Sequence, residues 1–472
     1  MDTQLNEQLR LHLEQQRAAY LREPYPTLAA RRDRLQRLRA LLAKHGEAFG
    51  EAIREDFGHR SLHETRLTET FVVEASIKHA LRHLKGWMKV RRVATALHFL
   101  PGHNRLMPQP LGVVGIISPW NYPMQLALAP AVAALAAGNR VLLKPSELTP
   151  RCSALLALSV AEFFAPDEFH VITGDATVAQ AFSKLPFDHL FFTGSTPVGR
   201  LVAQAAAANL TPVTLELGGK SPVLVLEDAE LRMTAERIAF AKLLNAGQTC
   251  VAPDYVLAPR AMVEPLAQAI LAAMQRFYPR LGDNPDYSAI VAPRHFERLQ
   301  ALLADAQARG ARLLRAHGEE ALDPAKRKLH PTVVLGSDEA MAIMREEIFG
   351  PLLPILPYDH VDEAIHQVQR NERPLALYIF GRAKELRERI LRETHAGGVT
   401  VNDCIWHLGQ EDQPFGGVGA SGQGSYHGEW GFRTFSNEKP VFHNPALAGT
   451  KLFYPPYGRL FDRLLGLLRK LS

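Results

Sequence analysis

Near the amino terminus Leu28, Leu35, Leu38, Leu41 and Leu42 recur close to a 3.6-residue period, while Arg31, Arg32, Arg34, Arg37 and Arg39 take the remaining positions. That pattern predicts a helix with a solvated basic face. Residues 1 to about 95 read as helices throughout, with a long amphipathic one from Glu69 to Val90. The pattern then changes. Short β-rich runs at Val113-Val114-Gly115-Ile116-Ile117, Arg140-Val141-Leu142-Leu143, Phe169-His170-Val171-Ile172 and His189-Leu190-Phe191-Phe192 alternate with helical or Ala-rich stretches. Alternation of this kind predicts a parallel, doubly wound sheet. A second series starts at Pro222-Val223-Leu224-Val225 and continues through Asp254-Tyr255-Val256-Leu257, Leu352-Leu353-Pro354-Ile355 and Gly398-Val399-Thr400-Val401-Asn402. Two α/β domains therefore meet near Gly218-Gly219, and a crevice between such domains is a usual place for a ligand.

Composition narrows the class. At 472 residues and 47% hydrophobic content the chain can bury a sizeable core, and its net charge of +5 is modest for that length. Basic residues concentrate only at Arg31 to Arg39 and Arg459 to Lys470 and are not interleaved with aromatics, which argues against nucleic acid as a partner. The three cysteines, Cys152, Cys250 and Cys404, give neither a disulfide framework nor a metal knuckle, and the 19 histidines lack metal-ligand spacing. Reduced thiols, a cytoplasmic location and no metal are expected. The amino terminus lacks a basic and apolar export signal, and the apolar run Leu126 to Gly138, broken by Pro130, is too short to span a bilayer. At the carboxyl end Leu460, Phe461, Leu464, Leu465, Leu467, Leu468 and Leu471 form an apolar face against Arg459, Arg463, Arg469 and Lys470. Packing on a second subunit or over a substrate entrance is the favoured reading of this tail, with peripheral lipid contact as the alternative.

An isolated cysteine is more often an inert buried filler than a nucleophile. Cys250, however, ends the stretch Asn245-Ala246-Gly247-Gln248-Thr249, whose Gly-Gln-Thr approach reads as small and flexible, and Glu216 precedes the tight turn Leu217-Gly218-Gly219. A thiol and a carboxylate so placed suggest a nucleophile and a base. The glycine motifs need separate tests. Gly417-Val418-Gly419-Ala420-Ser421-Gly422 matches the dinucleotide spacing but lacks a preceding strand, and Gly219-Lys220-Ser221 fails as a phosphate loop because Thr214 stands where the first glycine must be. Better placed is Thr193-Gly194-Ser195-Thr196-Pro197-Val198-Gly199, where a strand ends and Pro197 suits the first turn of a helix whose free N–H groups would face a diphosphate. Lys144-Pro145-Ser146-Glu147 likewise follows a strand at its carboxyl end.

Together with Pro119-Trp120-Asn121-Tyr122-Pro123, Glu216-Leu217-Gly218-Gly219-Lys220, Gly247-Gln248-Thr249-Cys250, Glu346-Glu347-Ile348-Phe349-Gly350-Pro351 and Pro414-Phe415-Gly416-Gly417, these blocks resemble the aldehyde dehydrogenase superfamily over about three quarters of the chain. Val251-Ala252-Pro253-Asp254-Tyr255 and Tyr426-His427-Gly428 are similar to its class 3 branch. The ending Tyr454-Pro455-Pro456-Tyr457-Gly458 is similar to that of the bacterial coniferyl aldehyde dehydrogenases within it.

The resemblance implies a Rossmann-like cofactor domain (1–96 and 112–217), a second α/β catalytic domain (218–422), a small β bridging arm (97–111 and 423–443) that joins a homodimer, and an amphipathic tail (444–472). It casts Cys250 as the nucleophile, Asn121 with the Cys250 N–H as the oxyanion site, and Glu216 as the base that activates water. It places Trp120, Lys144, Glu147, Gly194, Ser195, Gly199, Leu217, Glu347 and Phe349 around the cofactor, and Tyr122, Trp406, His407 and Phe415 along a substrate tunnel. A carboxylate at Glu147 would accept ribose hydroxyls and repel a 2′-phosphate, so NAD is expected, with NADP possible. The implied reaction is oxidation of an aldehyde, coniferyl or otherwise aromatic, to its acid. The alternatives are a medium- or long-chain fatty aldehyde, a thioester passed to coenzyme A, and a catalytically silent member that keeps the fold for structure or binding.

Overall fold

The computed structural model describes residues 2–471 and contains three β-sheets. In the six-stranded sheet the order is Gly422–Gln423, Val213–Glu216, His189–Thr193, Val113–Ile117, Arg140–Lys144, Phe169–Val171, all parallel except the short first strand. Chain order reverses between Val113–Ile117 and His189–Thr193, so the loops after these two strands flank a topological switch point. Every residue of both strands is buried, as a parallel sheet covered on both faces requires.

The seven-stranded sheet runs Arg312–Arg315, Thr332–Leu335, Leu352–Tyr358, Tyr255–Pro259, Pro222–Val225, Ala376–Phe380, Gly398–Val401, again parallel apart from its first strand. Periodicity located four of these strands and passed over Arg312–Arg315, Thr332–Leu335 and Ala376–Phe380. A third, antiparallel sheet joins Arg91–Val93, His103–Pro110 and Ser436–His443.

The predicted amphipathic helix forms as Leu28–Asp56, but its basic face is not solvated as expected. Arg31 and Arg34 are 1% and 2% exposed, whereas Arg32 and Arg39 face solvent. Arg31 donates to the carbonyls of Ala136 (3.2 Å) and Ala137 (2.6 Å) at the end of the helix Gln125–Ala137, and Arg34 pairs with Glu168 at 2.8 Å. The free carbonyls of a buried helix end need donors, and a guanidinium suits that negative pole. Nor does Pro130 break the helix Gln125–Ala137, which is buried along its whole length and continues through it. No described helix is long and apolar enough to cross a membrane. The tail folds as the helix Arg459–Leu471, with Leu460 and Leu467 exposed; the side chain of Leu471 lies outside the described residues.

Candidate active site

One wall of the main cavity is made by strand ends of the six-stranded sheet. Pro119-Trp120-Asn121 follows Val113–Ile117, and Gly194-Ser195 follows His189–Thr193, with the Gly194 N–H bonded to the Glu216 carbonyl at 3.0 Å. Ser195 is the extended N-cap of the helix Thr196–Ala207, its side chain makes no cap hydrogen bond, and Pro197 occupies the first turn. The N–H groups of that turn are thus available to an anion. Gly199 lets this helix approach the sheet, since a Cβ there would lie 2.6 Å from Leu217 Cδ2. Glu216 ends its strand with both carboxylate oxygens buried and unpartnered among the described residues, and burial pushes its pKa well above the usual carboxylate range.

The opposite wall is irregular. After the helix Leu231–Leu243 the chain enters a tight turn in which Asn245 (φ 52°) and Ala246 (φ 51°) are left-handed and Gly247 has φ 76°. Two successive left-handed non-glycine residues cost roughly 1–2 kcal/mol each. Side chains of the same motif compensate. Asn245 Nδ2 donates to the carbonyls of Asn121 (3.0 Å) and Gln248 (3.2 Å). Gln248 bonds the Asn245 and Ala289 carbonyls through Nε2 and accepts the Val291 N–H at 3.0 Å. The Thr249 and Tyr122 hydroxyls meet at 2.6 Å. Asn121 Nδ2 gives one hydrogen to the Gln248 carbonyl at 3.2 Å, which leaves its second for a ligand.

Cys250 follows this turn. Burial pushes its thiol up to about 12, with the Glu347 and Glu216 carboxyls adding to the shift, so in the free protein the sulfur keeps its proton at neutral pH. Glu347 lies against Gly218, where a Cβ would meet both of its carboxylate oxygens at 2.4 Å, and burial raises its carboxyl to about 8. Its loop is fixed from below. Lys220 pairs with Asp254 and donates to the carbonyls of Ile343 (2.8 Å) and Glu346 (3.0 Å), while Asp254 accepts the Ile348 N–H at 2.9 Å. Arg298 donates to the Glu347 carbonyl at 3.1 Å. The left-handed Phe349 (φ 50°) sets its ring edge-on to Trp120, whose centroid also lies 5.1 Å from that of His295.

Of the residues singled out in the sequence, Trp120, Asn121, Gly194, Ser195, Glu216, Leu217, Cys250, Glu347 and Phe349 line one cavity of about 820 Å³. Gly199 packs beneath it. Lys144 is buried at its strand end, donating to the Pro145 carbonyl at 2.6 Å, and Glu147 is exposed beyond it; neither is on the lining. Tyr122 sits behind the nucleophile turn. His407, Phe415 and His427 form a separate stack, with centroids 6.1 and 5.2 Å apart, and Trp406 lies half-exposed on Phe240. This cluster is extended toward the thiol by Tyr426, which contacts Phe415 and whose hydroxyl pKa is raised first by burial and then by its nearness to Glu216 and Cys250. Sequence reasoning missed Arg60, Glu64, Glu69 and Arg298. Glu64, Glu69 and Arg298 lie in unremarkable helical sequence and Arg60 in the loop before Leu62–Thr65, and no local spacing marks them.

The cavity suits a dinucleotide: open N–H groups at a helix start, a glycine approach at Gly194, an acidic side chain at Glu347 that can take ribose hydroxyls, and volume for a large ligand. Residues 10–441 match the Aldehyde dehydrogenase family. The chain belongs to that family. As an aldehyde dehydrogenase it is an NAD(P)-dependent oxidoreductase, and its relatives include a family 3 member H1 of Arabidopsis thaliana, 40% identical over 91% of this chain and 88% of the relative. It is 49% identical to a probable coniferyl aldehyde dehydrogenase of Pseudomonas aeruginosa, over 97% of this chain and 95% of the relative. Among solved structures, a substrate-bound AldH of Staphylococcus aureus superposes with a TM-score of 0.92 at 38% identity, covering 97% of this chain and 99% of the other. An indole-3-acetaldehyde dehydrogenase of P. syringae, solved in complex with NAD+, superposes at 0.85 with 25% identity, covering 93% and 89%.

Proposed function

We propose that this aldehyde dehydrogenase oxidises an aromatic aldehyde of the coniferyl type to its carboxylic acid. The observation that carries this reading is the convergence of Cys250, Asn121 and Glu216 on the cavity that also holds Gly194, Ser195 and Glu347. The Cys250 thiol gives its proton up to solvent and its sulfur attacks the aldehyde carbon, and the resulting oxyanion is held between the free Asn121 Nδ2 hydrogen and the Cys250 N–H. Gly194, Ser195 and Glu347 would hold NAD(P), which would supply the hydride acceptor. Loss of hydride leaves a thioester on the sulfur, and Glu216 takes a proton from water as that water attacks the acyl carbon. The acid leaves and the thiol is regenerated. Aldehyde, oxidised cofactor and water thus become acid, reduced cofactor and a proton. An intact Glu216 favours water over coenzyme A as acceptor, and retention of all three groups disfavours a silent member.

Glu147 at the end of its strand favours NAD over NADP, with the 2′-phosphate tolerated. Tyr122, Trp406, His407 and Phe415 are the aromatic set that would select the substrate, and the runner-up is a medium- or long-chain fatty aldehyde. The division proposed is a cofactor domain of residues 1–96 and 112–217, a catalytic domain of 218–422 and an arm of 97–111 with 423–443; the separate six- and seven-stranded sheets support it, although Arg91–Val93 pairs within the antiparallel sheet and Gly422–Gln423 pairs with Val213–Glu216. We place the protein in the cytoplasm as a homodimer, with the free edges of the antiparallel sheet pairing across subunits and the tail helix packing on the partner; light scattering of the full chain and of a truncation after Tyr457 tests this. The deciding experiment follows cofactor reduction with coniferyl aldehyde, benzaldehyde and decanal, each with NAD and NADP, in the parent and in Cys250→Ala. Preference for coniferyl aldehyde with NAD, and no turnover in the variant, is expected. Preference for decanal would move the substrate to the fatty class, and turnover in the variant would remove the assigned nucleophile.

A further inference from the structure

Outside the cavity lining, a buried polar chain runs from the amino-terminal helices to both catalytic walls. Glu64 lies on the short helix Leu62–Thr65 with its carboxylate turned inward. Oε2 accepts the backbone N–H of Asn245 at 3.1 Å and the Ser288 hydroxyl at 3.0 Å. Asn245 is the first left-handed residue of the nucleophile turn, and its side-chain amide binds the Asn121 and Gln248 carbonyls. Arg60, on the preceding turn, donates to the same Asn121 carbonyl at 2.9 Å and pairs with Glu69 at 3.0 Å. Glu69 in turn accepts the N–H groups of Met124 (2.8 Å) and Gln125 (3.1 Å), which open the helix after Asn121. One carboxylate, at Glu64, therefore fixes the turn carrying the thiol, and a second, at Glu69, fixes the segment carrying the oxyanion donor.

We propose that Glu64 is a positioning residue for aldehyde oxidation: by holding the Asn245 N–H it sets the left-handed turn that presents Cys250 and, through the Asn245 amide, keeps Asn121 in register with the sulfur. The inference rests on the reading of Cys250 and Asn121 given above. An acceptor is required at this point because the Asn245 N–H faces the protein interior, and small displacements of a nucleophile against its oxyanion donor slow the chemical step without weakening ligand binding.

The test compares Glu64→Ala and Glu64→Gln with the parent for kcat, for the KM of NAD and for melting temperature, with Cys250→Ala alongside. Glu64→Ala is expected to lower kcat by about tenfold or more while the KM of NAD stays within about twofold. Glu64→Gln, which keeps a carbonyl to accept the Asn245 N–H, is expected to recover kcat to within about threefold of the parent. An alanine variant with parental kcat would overturn the proposal. So would equal losses in both variants accompanied by a common fall in melting temperature, which would mean a purely structural role. Should Cys250→Ala retain turnover, it is the underlying assignment of the nucleophile that fails, whatever the Glu64 variants do.

Discussion

The two walls of the cavity reach the same space by different means. On the six-stranded side Asn121, Gly194 and Glu216 sit at or just after the carboxyl ends of regular parallel strands, and the ladder itself places them. On the seven-stranded side Cys250 and Glu347 come from loops with left-handed residues at Asn245, Ala246 and Phe349, which hold their shape only because side chains bond the exposed backbone. The regular wall carries its strain in an uncompensated buried carboxyl, and the irregular wall carries it in the backbone. Both are costs accepted at a site rather than defects of packing.

The sharpest test of the regular wall is Glu216→Gln. The amide cannot take a proton from water, so a burst of about one reduced cofactor per site should precede turnover slowed by roughly 10²–10⁴-fold, the range typical of a lost general base. The same change removes a buried group whose ionisation is disfavoured and should raise the melting temperature. Full steady-state activity would reassign the base.

On the irregular wall the corresponding test is Gly247→Ala. A Cβ at Gly247 would lie 2.3 Å from the Gly350 carbonyl oxygen, and φ is +76°. Neither backbone can yield cheaply, so a loss on the order of 3 kcal/mol in stability is expected, with activity falling further as the thiol is displaced. Gly194→Ala meets only the Phe192 ring, a side chain, and should be milder. Equal effects at the two glycines, read by thermal melting and kcat, would break the distinction between the walls.

How much of this was legible in the sequence follows the same division. The strand-end residues could be read because a β run followed by a small-residue turn is a local signal; the approach to Cys250 reads in the sequence as small and flexible, whereas Gly247-Gln248-Thr249 proves to be part of a fixed turn and its own scaffold. What could not be read was the support brought from far along the chain. Glu64 and Arg60 occupy positions that look like any polar helix surface, and the burial of Arg31 and Arg34 went unforeseen because periodicity cannot see the carbonyls of Ala136 and Ala137 awaiting donors. Trp406, His407 and Phe415 were grouped by motif, yet His407 and Phe415 stack beside the cavity and Trp406 packs on Phe240, none of them on its lining.

Glu347 sharpens the comparison through pH. Its carboxyl is raised by burial to about 8 in the folded protein, above its unfolded value, so the folded state binds more protons than the unfolded state between those two values. Stability contributed by the neutral form is present at low pH and is lost as pH rises toward the folded pKa. Glu347→Gln should therefore flatten the decline of stability between pH 5 and pH 8, by roughly 3 kcal/mol at the upper end at about 1.4 kcal/mol per pH unit, read as a smaller fall in melting temperature. A decline that stays as steep as in the parent would place the responsible proton elsewhere, with Glu64, raised to about 7, the next group to substitute.

The smallest effect is expected where the regular wall needs no side chain at all. Ser195 caps the helix Thr196–Ala207 in extended conformation without a side-chain hydrogen bond, so the N–H groups of the first turn, and not the hydroxyl, are what it offers to a diphosphate. Ser195→Ala should change stability by less than about 0.5 kcal/mol, because the usual penalty for losing a cap comes from a bond that is not made here. The KM for NAD should rise by no more than about twofold. A large rise in KM would mean that the hydroxyl turns onto the bound cofactor, and the regular wall would then share the dependence on individual side chains that marks the other.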